Sequence, residues 1–236
     1  MEVQIAVSKI KKYATSDSGD TVEVVERPQG GVSVVLADGQ SSGRGAKWIS
    51  TMVVRKVITL LAEGVRDGAA ARAASDSLYT ERGGRVSATL NILSVDRQTN
   101  TVVITRNNQA PAILITGRRL RFLDEVSQPV GLYRNTRPVI NEIPLELELT
   151  VVVYTDGLVH SGDRYGNRME IDTCIRAFID EKMPTAQYIA DSLLGHALIL
   201  DQNRPSDDIS VVVLQVIEHQ GDDIRRMNVR LPLKKF

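Results

Sequence analysis

An α+β fold, with largely antiparallel sheets covered by helices, is what this chain of 236 residues predicts. Three observations carry the prediction. Runs rich in Val, Ile, Leu and Thr, bounded by Gly, Pro, Asn or Asp, recur along the chain and read as strands. Helical periodicity is confined to two places, each long enough for a pair of helices. The order is therefore strands, helix pair, strands, helix pair, strands, without the βαβ alternation of a doubly wound sheet.

The first three strands are expected at 3–10, 21–26 and 32–37. A helix follows in AKWISTMVVRKVITLLAEG, where Ile49, Met52, Val53, Val57, Leu60 and Leu61 share one face and Gly64 stops it. An alanine-rich helix over 67–80 ends at the GGR of 83–85. Strands return at 86–95, 101–106, 112–116 and 149–155. Two more helices are expected near 169–182 and 184–200, with Pro184 in the first turn of the second. A strand over 209–217 follows. The closing DDIRRMNVRLPLKKF alternates enough to be a last strand, which Pro232 would confine to a sheet edge. With no linker, tandem repeat or low-complexity segment, residues 1–236 read as a single domain.

Composition narrows the function classes. Twenty-nine basic and 29 acidic side chains balance, so no basic stripe argues for nucleic acid and no polybasic segment for a membrane surface. The lone Cys174 excludes an internal disulfide framework or a cysteine-ligated zinc site, which fits a reducing compartment. The opening MEVQIAVSKIKK alternates where a signal peptide would be continuously apolar, and no apolar run approaches membrane-spanning length. A soluble, cytoplasmic protein is the expectation.

The stretch VSVVLADGQSSGRGAKWIS ends a greasy strand in an acid and continues into glycines and serines. A phosphate-binding loop is one reading, but Ala46 separates Gly45 from Lys47, Trp48 stands where a magnesium-binding hydroxyl belongs, and no dinucleotide fingerprint is present. The other reading is a metal site. LELTVVVYTDGLVHSG again ends a hydrophobic strand in Asp156-Gly157, and in RPSDDISVVVLQV the acids Asp207 and Asp208 open one. If the first two strands run opposite to the third, these carboxylates gather at one edge of the core, where cations would relieve their repulsion. Glycine after each aspartate would let the backbone turn sharply and bring a carbonyl to the ion. All-oxygen ligation suits Mg²⁺ or Mn²⁺, and a pair of such ions can activate a water toward phosphorus. Against this, Asp-Gly after a strand is usually only a turn, and the residues alone leave the two readings balanced.

The segments SGDTVEVVERPQGGVSVVLADGQSSGRGA, SATLNILSVDRQTNTVVITRNNQAPAILI, QPVGLYRNTRPVINEIPLELELTVVVYTDGLVHSG and SDDISVVVL stand in one order from about residue 16 to residue 217. In that order they resemble the motifs of the metal-dependent (PPM, type-2C) serine/threonine protein phosphatases, and most closely the SpoIIE group with its RsbU- and RsbX-like stress-response members. The resemblance implies a four-layer αββα sandwich of two antiparallel β-sheets flanked by helix pairs, with two Mn²⁺ or Mg²⁺ ions at one edge and a third permitted. By position it makes Asp38 the ligand shared by both metals, with the Gly39 carbonyl on one of them and Asp156 and Asp207 on the other side. Asp20 would act at or near the first metal, and Asp208 would join the group from behind the ligands. Asp38, Asp156 and Asp207 would be catalytic through the water the metals hold. The substrate would be a phosphoserine or phosphothreonine on an anti-sigma-antagonist or stressosome-like protein.

Several residues depart from that pattern. NNQAP puts Asn108 and Gln109 where relatives carry histidine, Ser210 replaces a threonine, and His160 and Asp163 follow the second Asp-Gly where relatives often carry Glu. No residue matches the phosphate-gripping arginine of the eukaryotic branch, and Arg44 reads as a solvated side chain. Cys174 reads as a buried helix residue and Trp48 as core or interface. Two other functions stay open: a phosphatase-fold module that binds without turnover, and a phosphatase for small phosphoesters.

Overall fold

In the computed structural model, which describes residues 1–182 and 184–232, ten strands form two five-stranded sheets. The first runs β1 (Glu2–Ile10), β10 (Ile209–Ile217), β9 (Leu149–Tyr154), β6 (Ala112–Thr116), β7 (Arg119–Leu123). The second runs β2 (Asp20–Glu26), β3 (Val32–Gly39), β4 (Ala88–Asp96), β5 (Thr101–Asn107), β8 (Val139–Pro144). All neighbouring strands are antiparallel.

Alternation decides which core each side chain enters. In β3, Val34 and Leu36 face the other sheet, while Val35 and Ala37 face helices. In β10, Val212, Leu214 and Val216 face the other sheet, and Val211 and Val213 face a second helix layer. Strands covered on both sides have no polar face, which is why these segments read as continuous apolar runs.

Helices α1 (Gly43–Ala62) and α2 (Asp67–Arg82) cover the second sheet. Ile49, Val53, Val57 and Leu61 of α1, and Ala70, Ala74 and Leu78 of α2, pack on Val35, Ala37, Leu90 and Ile92. Helices α4 (Ile171–Asp180) and α5 (Ala186–Leu200) cover the first, with Ile175, Phe178, Ile189 and Leu193 on Val152, Tyr154, Val211 and Val213. The four layers αββα follow. No helix among the described residues is long and apolar enough to cross a membrane.

Three expectations change. Strands β7 and β8 escape the sequence pattern because they are short edge strands that alternate polar and half-buried positions, and β8 ends in Pro144. Pro184 stands before the helix cap, not in the first turn. Thr185 caps α5 by accepting from the Tyr188 N–H, and the Pro184 carbonyl accepts from Gln215. The closing strand is absent over 222–232, where Ile224, Met227, Val229 and Leu231 are all exposed and no buried face rewards pairing; its last four residues lie outside the described ones.

Candidate metal centre

Strand pairing brings the acids together. Asp20 opens β2 and lies directly opposite Asp38 near the end of β3. Asp38 continues the face of Val34 and Leu36, so it looks toward the other sheet. There β9 ends at Tyr154, and Asp156 begins the single turn α3 (Asp156–Val159). Because β10 is antiparallel to β9, its entry at Asp207 returns to the same end. Asp38, Asp156 and Asp207 consequently line one cavity of ≈ 530 Å³, with Gly39, Gln109 and His160 among its other walls.

Asp20 lies behind them, fully buried, and is held from the other sheet. Its Oδ2 accepts from Thr155 Oγ1 at 3.1 Å and from Ser210 Oγ at 2.6 Å, while Oδ1 has no partner among the described residues. Burial raises its pKa to about 6, against the pull of the Ser210 hydrogen bond. Asp38, less deeply buried, is raised further because other carboxylates stand beside it. Burial, together with the charges of Asp20, Asp156 and Asp207, pushes that carboxyl up to about 10. Asp207 is also raised, first by burial and then by Asp156, against the Asp208 N–H that it accepts.

The two glycines serve a different purpose from the one expected. Neither Gly39 nor Gly157 has a positive φ. A Cβ on Gly39 would run into the Ala46 carbonyl of α1, and one on Gly157 into the Asp208 carbonyl. They permit close approach of backbones on either side of the cavity, not a sharp turn. The left-handed residues after this first Asp-Gly are Ser41, with φ 85°, and Gly43, with φ 68°.

Asp208 stands behind the acids that line the cavity. Successive residues entering a strand point to opposite sides, so Asp207 faces the cavity and Asp208 turns away from it. Its Oδ1 accepts from the Lys12 N–H at 2.9 Å and its Oδ2 from the Gly19 N–H at 2.8 Å. Asp208 staples the connection between β1 and β2.

Asn108 is buried, donating to the Tyr154 carbonyl at 3.1 Å and accepting from the Ala110 N–H at 2.9 Å. Neither motif marks Thr155 or Asn108 as a structural tie; the buried hydroxyl and amide gain that meaning only from the strand pairing. His160 is half-exposed at the cavity and faces Asp163 at 3.0 Å. Arg44 is 88% exposed in its side chain and paired with Asp17, as expected of a solvated arginine. Trp48 is exposed on α1 with the Arg82 guanidinium 4.0 Å from its ring centre, and Cys174 is half-buried against the α4–α5 core.

The acids surround the cavity without closing on one point. Among the described residues, no three His, Cys, Asp or Glu side chains are close enough to hold a single ion. The donor set still fits hard divalent cations: carboxylates from both sheets, a buried carboxylate oxygen without a partner among the described residues, and a carboxyl whose charge burial and its neighbours suppress.

The family model of stage II sporulation protein E (SpoIIE) matches residues 28–217, most of the chain. The chain belongs to the SpoIIE family. No curated protein sequence matches it. Its fold is that of the PP2C phosphatase domain with a regulatory-domain fragment of SpoIIE from Bacillus subtilis, at 17% identity and a TM-score of 0.78. That likeness covers 93% of this chain and 64% of the other, so this SpoIIE-family chain spans less than two thirds of that fragment. RsbX in complex with magnesium is similar at 15% identity and TM-score 0.68, over 91% of this chain and 95% of that one. The catalytic domain of the serine/threonine phosphatase PstP with two manganese ions is similar at 16% identity and TM-score 0.70, over 92% and 99%.

Proposed function

We propose that this SpoIIE-family chain, acting as one domain over residues 1–236, is a metal-dependent protein serine/threonine phosphatase. The observation that carries the reading is the meeting of Asp38, Asp156 and Asp207 in one cavity, with Asp38 held up to about 10. Carboxylates in that state exchange protons for cations. Asp38, Asp156 and Asp207 would hold two Mn²⁺ or Mg²⁺ ions, with a third permitted, the Gly39 carbonyl and the free Oδ1 of Asp20 adding to the set. Divalent cations held there would supply charge for the phosphoryl oxygens and acidify a water for attack on phosphorus.

The chain's own residues do the positioning. Thr155 and Ser210 fix Asp20 against rotation, so its unpartnered oxygen keeps its direction toward the β2–β3 end. Asp207 keeps its orientation by accepting from the Asp208 N–H. Asn108 ties the opposite wall to the strand that delivers Asp156. The phosphorylated residue would be a serine or threonine of a cytoplasmic bacterial signalling protein of anti-sigma-antagonist or stressosome type. The motif order and the likeness to RsbX support that choice.

The test is phosphate release from a serine-phosphorylated anti-sigma-antagonist and from free phosphoserine, with Mn²⁺. Protein substrate should be preferred by roughly 100-fold in kcat/KM, since remote contacts contribute to turnover. Equal rates would make the chain a small-phosphoester phosphatase. No turnover by folded, Mn²⁺-binding protein would make it a binding module.

A further inference from the structure

Position 106 breaks the pattern of its strand. On β5 the face that looks into the inter-sheet core carries Val102, Ile104 and then Arg106, a cation where the alternation calls for a third aliphatic residue. The side chain is fully buried, and it forms no salt bridge among the described residues. Burial lowers its pKa, against the charges of Glu125 and Asp124. An arginine so enclosed must find its partners locally.

The partners are three backbone carbonyls on two separate loops. Nη1 donates to Asn108 O at 2.9 Å and to Ala110 O at 3.1 Å, and Nη2 donates to Glu125 O at 2.9 Å. The adjoining residues repeat the attachment: Ser127 Oγ donates to Arg106 O, and Asn107 Nδ2 donates to Gln128 O. Both loops contribute to the cavity, the first through Asn108, Gln109, Ala110 and Pro111 and the second through Pro129. Asn108 then donates to Tyr154 O, two residues before Asp156.

The same sheet face links Arg106 to the cavity floor. Asp38 lies opposite Thr89, which lines the cavity; Asn91 is the next residue on that face of β4 and lies opposite Arg106. Thr89 Oγ1, both polar atoms of Asn91 and Arg106 Nε have no partner among the described residues. Such a row of polar groups would not be placed in an aliphatic core for stability.

We infer that Arg106 is a positioning residue, whose guanidinium sets the 108–111 and 124–129 loops as the substrate-facing wall opposite the acids. It touches neither the cavity nor a carboxylate, and it acts through the carbonyls it holds. The inference rests on the phosphatase reading. Its fork supplies three directed donors from one side chain, whereas lysine in its place keeps the charge but cannot reach both loops in fixed geometry.

The experiment compares wild type, Arg106→Lys and Arg106→Met in Mn²⁺-dependent hydrolysis of p-nitrophenyl phosphate, with Mn²⁺ affinity measured separately by calorimetry. Wild-type turnover tests the phosphatase reading, and its absence would sink that reading before Arg106 is considered. Given turnover, both variants should lose roughly 10- to 100-fold in kcat/KM, because misplacing a wall of the site costs orientation. Mn²⁺ affinity should stay at the wild-type value, since the acids lie on other strands, and Arg106→Lys should retain more activity than Arg106→Met. Wild-type kinetics in Arg106→Lys would overturn the inference. So would parallel loss of Mn²⁺ affinity and turnover, or an Arg106→Lys protein that does not fold, either of which would make Arg106 a residue of the fold alone.

Discussion

Asp20 and Asp38 face each other directly across the β2–β3 pair, and Asp20 is the strongest of the charges that raise Asp38 to about 10. Like charges directly opposite on one sheet face oppose pairing. Without metal, the second sheet therefore keeps its corner closed by holding protons there.

Stability without metal should fall as pH rises. Asp20 and Asp38 both have folded pKa values above the ordinary 3.8, so the folded chain holds protons that the unfolded chain releases. That contribution is complete below about pH 4 and is lost as pH rises through about 6 for Asp20 and about 10 for Asp38. Thermal scans in EDTA should show Tm declining across neutral pH, with Mn²⁺ restoring most of the loss at the alkaline end. A metal-free Tm that climbs over this range would contradict the reading.

Metal binding should release protons. At neutral pH the Asp38 carboxyl is protonated in the metal-free protein, and a ligand must give up that proton, about one per site. Calorimetric titration of Mn²⁺ in buffers of different ionisation enthalpy reads the number directly. Asp38→Asn should bind more weakly and abolish the buffer dependence.

Replacing Asp208 should cost stability more than chemistry. Asp208→Ala leaves the Lys12 and Gly19 N–H groups without acceptors, and removing two hydrogen bonds to a charged group is worth about 3–6 kcal/mol. Urea unfolding should register that loss, while Mn²⁺ affinity falls far less than in Asp38→Ala. The opposite ranking would return Asp208 to the metal group.

Gly39→Ala and Gly157→Ala test the close approaches beside the cavity. Each Cβ would meet a backbone carbonyl that cannot swing aside, so each should destabilise by about 1–3 kcal/mol and weaken Mn²⁺ binding. Wild-type stability in both would mean that the backbones part without cost.

Much of this was legible in the sequence where burial is two-sided. VSVVLADG and ISVVVLQVI carry their strands openly because both faces are covered, and their flanking acids mark the cavity end. RLRFL and VINEIP were not legible, because an edge strand with one wet face resembles a loop in composition. DDIRRMNVRLP misled in the other direction, since alternation alone does not supply a sheet to join. At the cavity, the meeting of Asp38, Asp156 and Asp207 follows from their places at strand ends, but which of Asp207 and Asp208 faces it depends on one residue of strand register. Arg106 was invisible for a related reason: only strand parity and pairing show that its side chain points between the sheets.

The most direct measurement is hydrolysis of p-nitrophenyl phosphate by protein stripped with EDTA and resupplied with Mn²⁺ or Mg²⁺, beside Asp38→Ala and Asp207→Ala. The account predicts no turnover in EDTA, recovery with metal, and loss of at least about 100-fold in kcat/KM in both variants. Metal-restored activity that survives in Asp38→Ala would contradict the placement of the metal centre between the β3 and β10 ends.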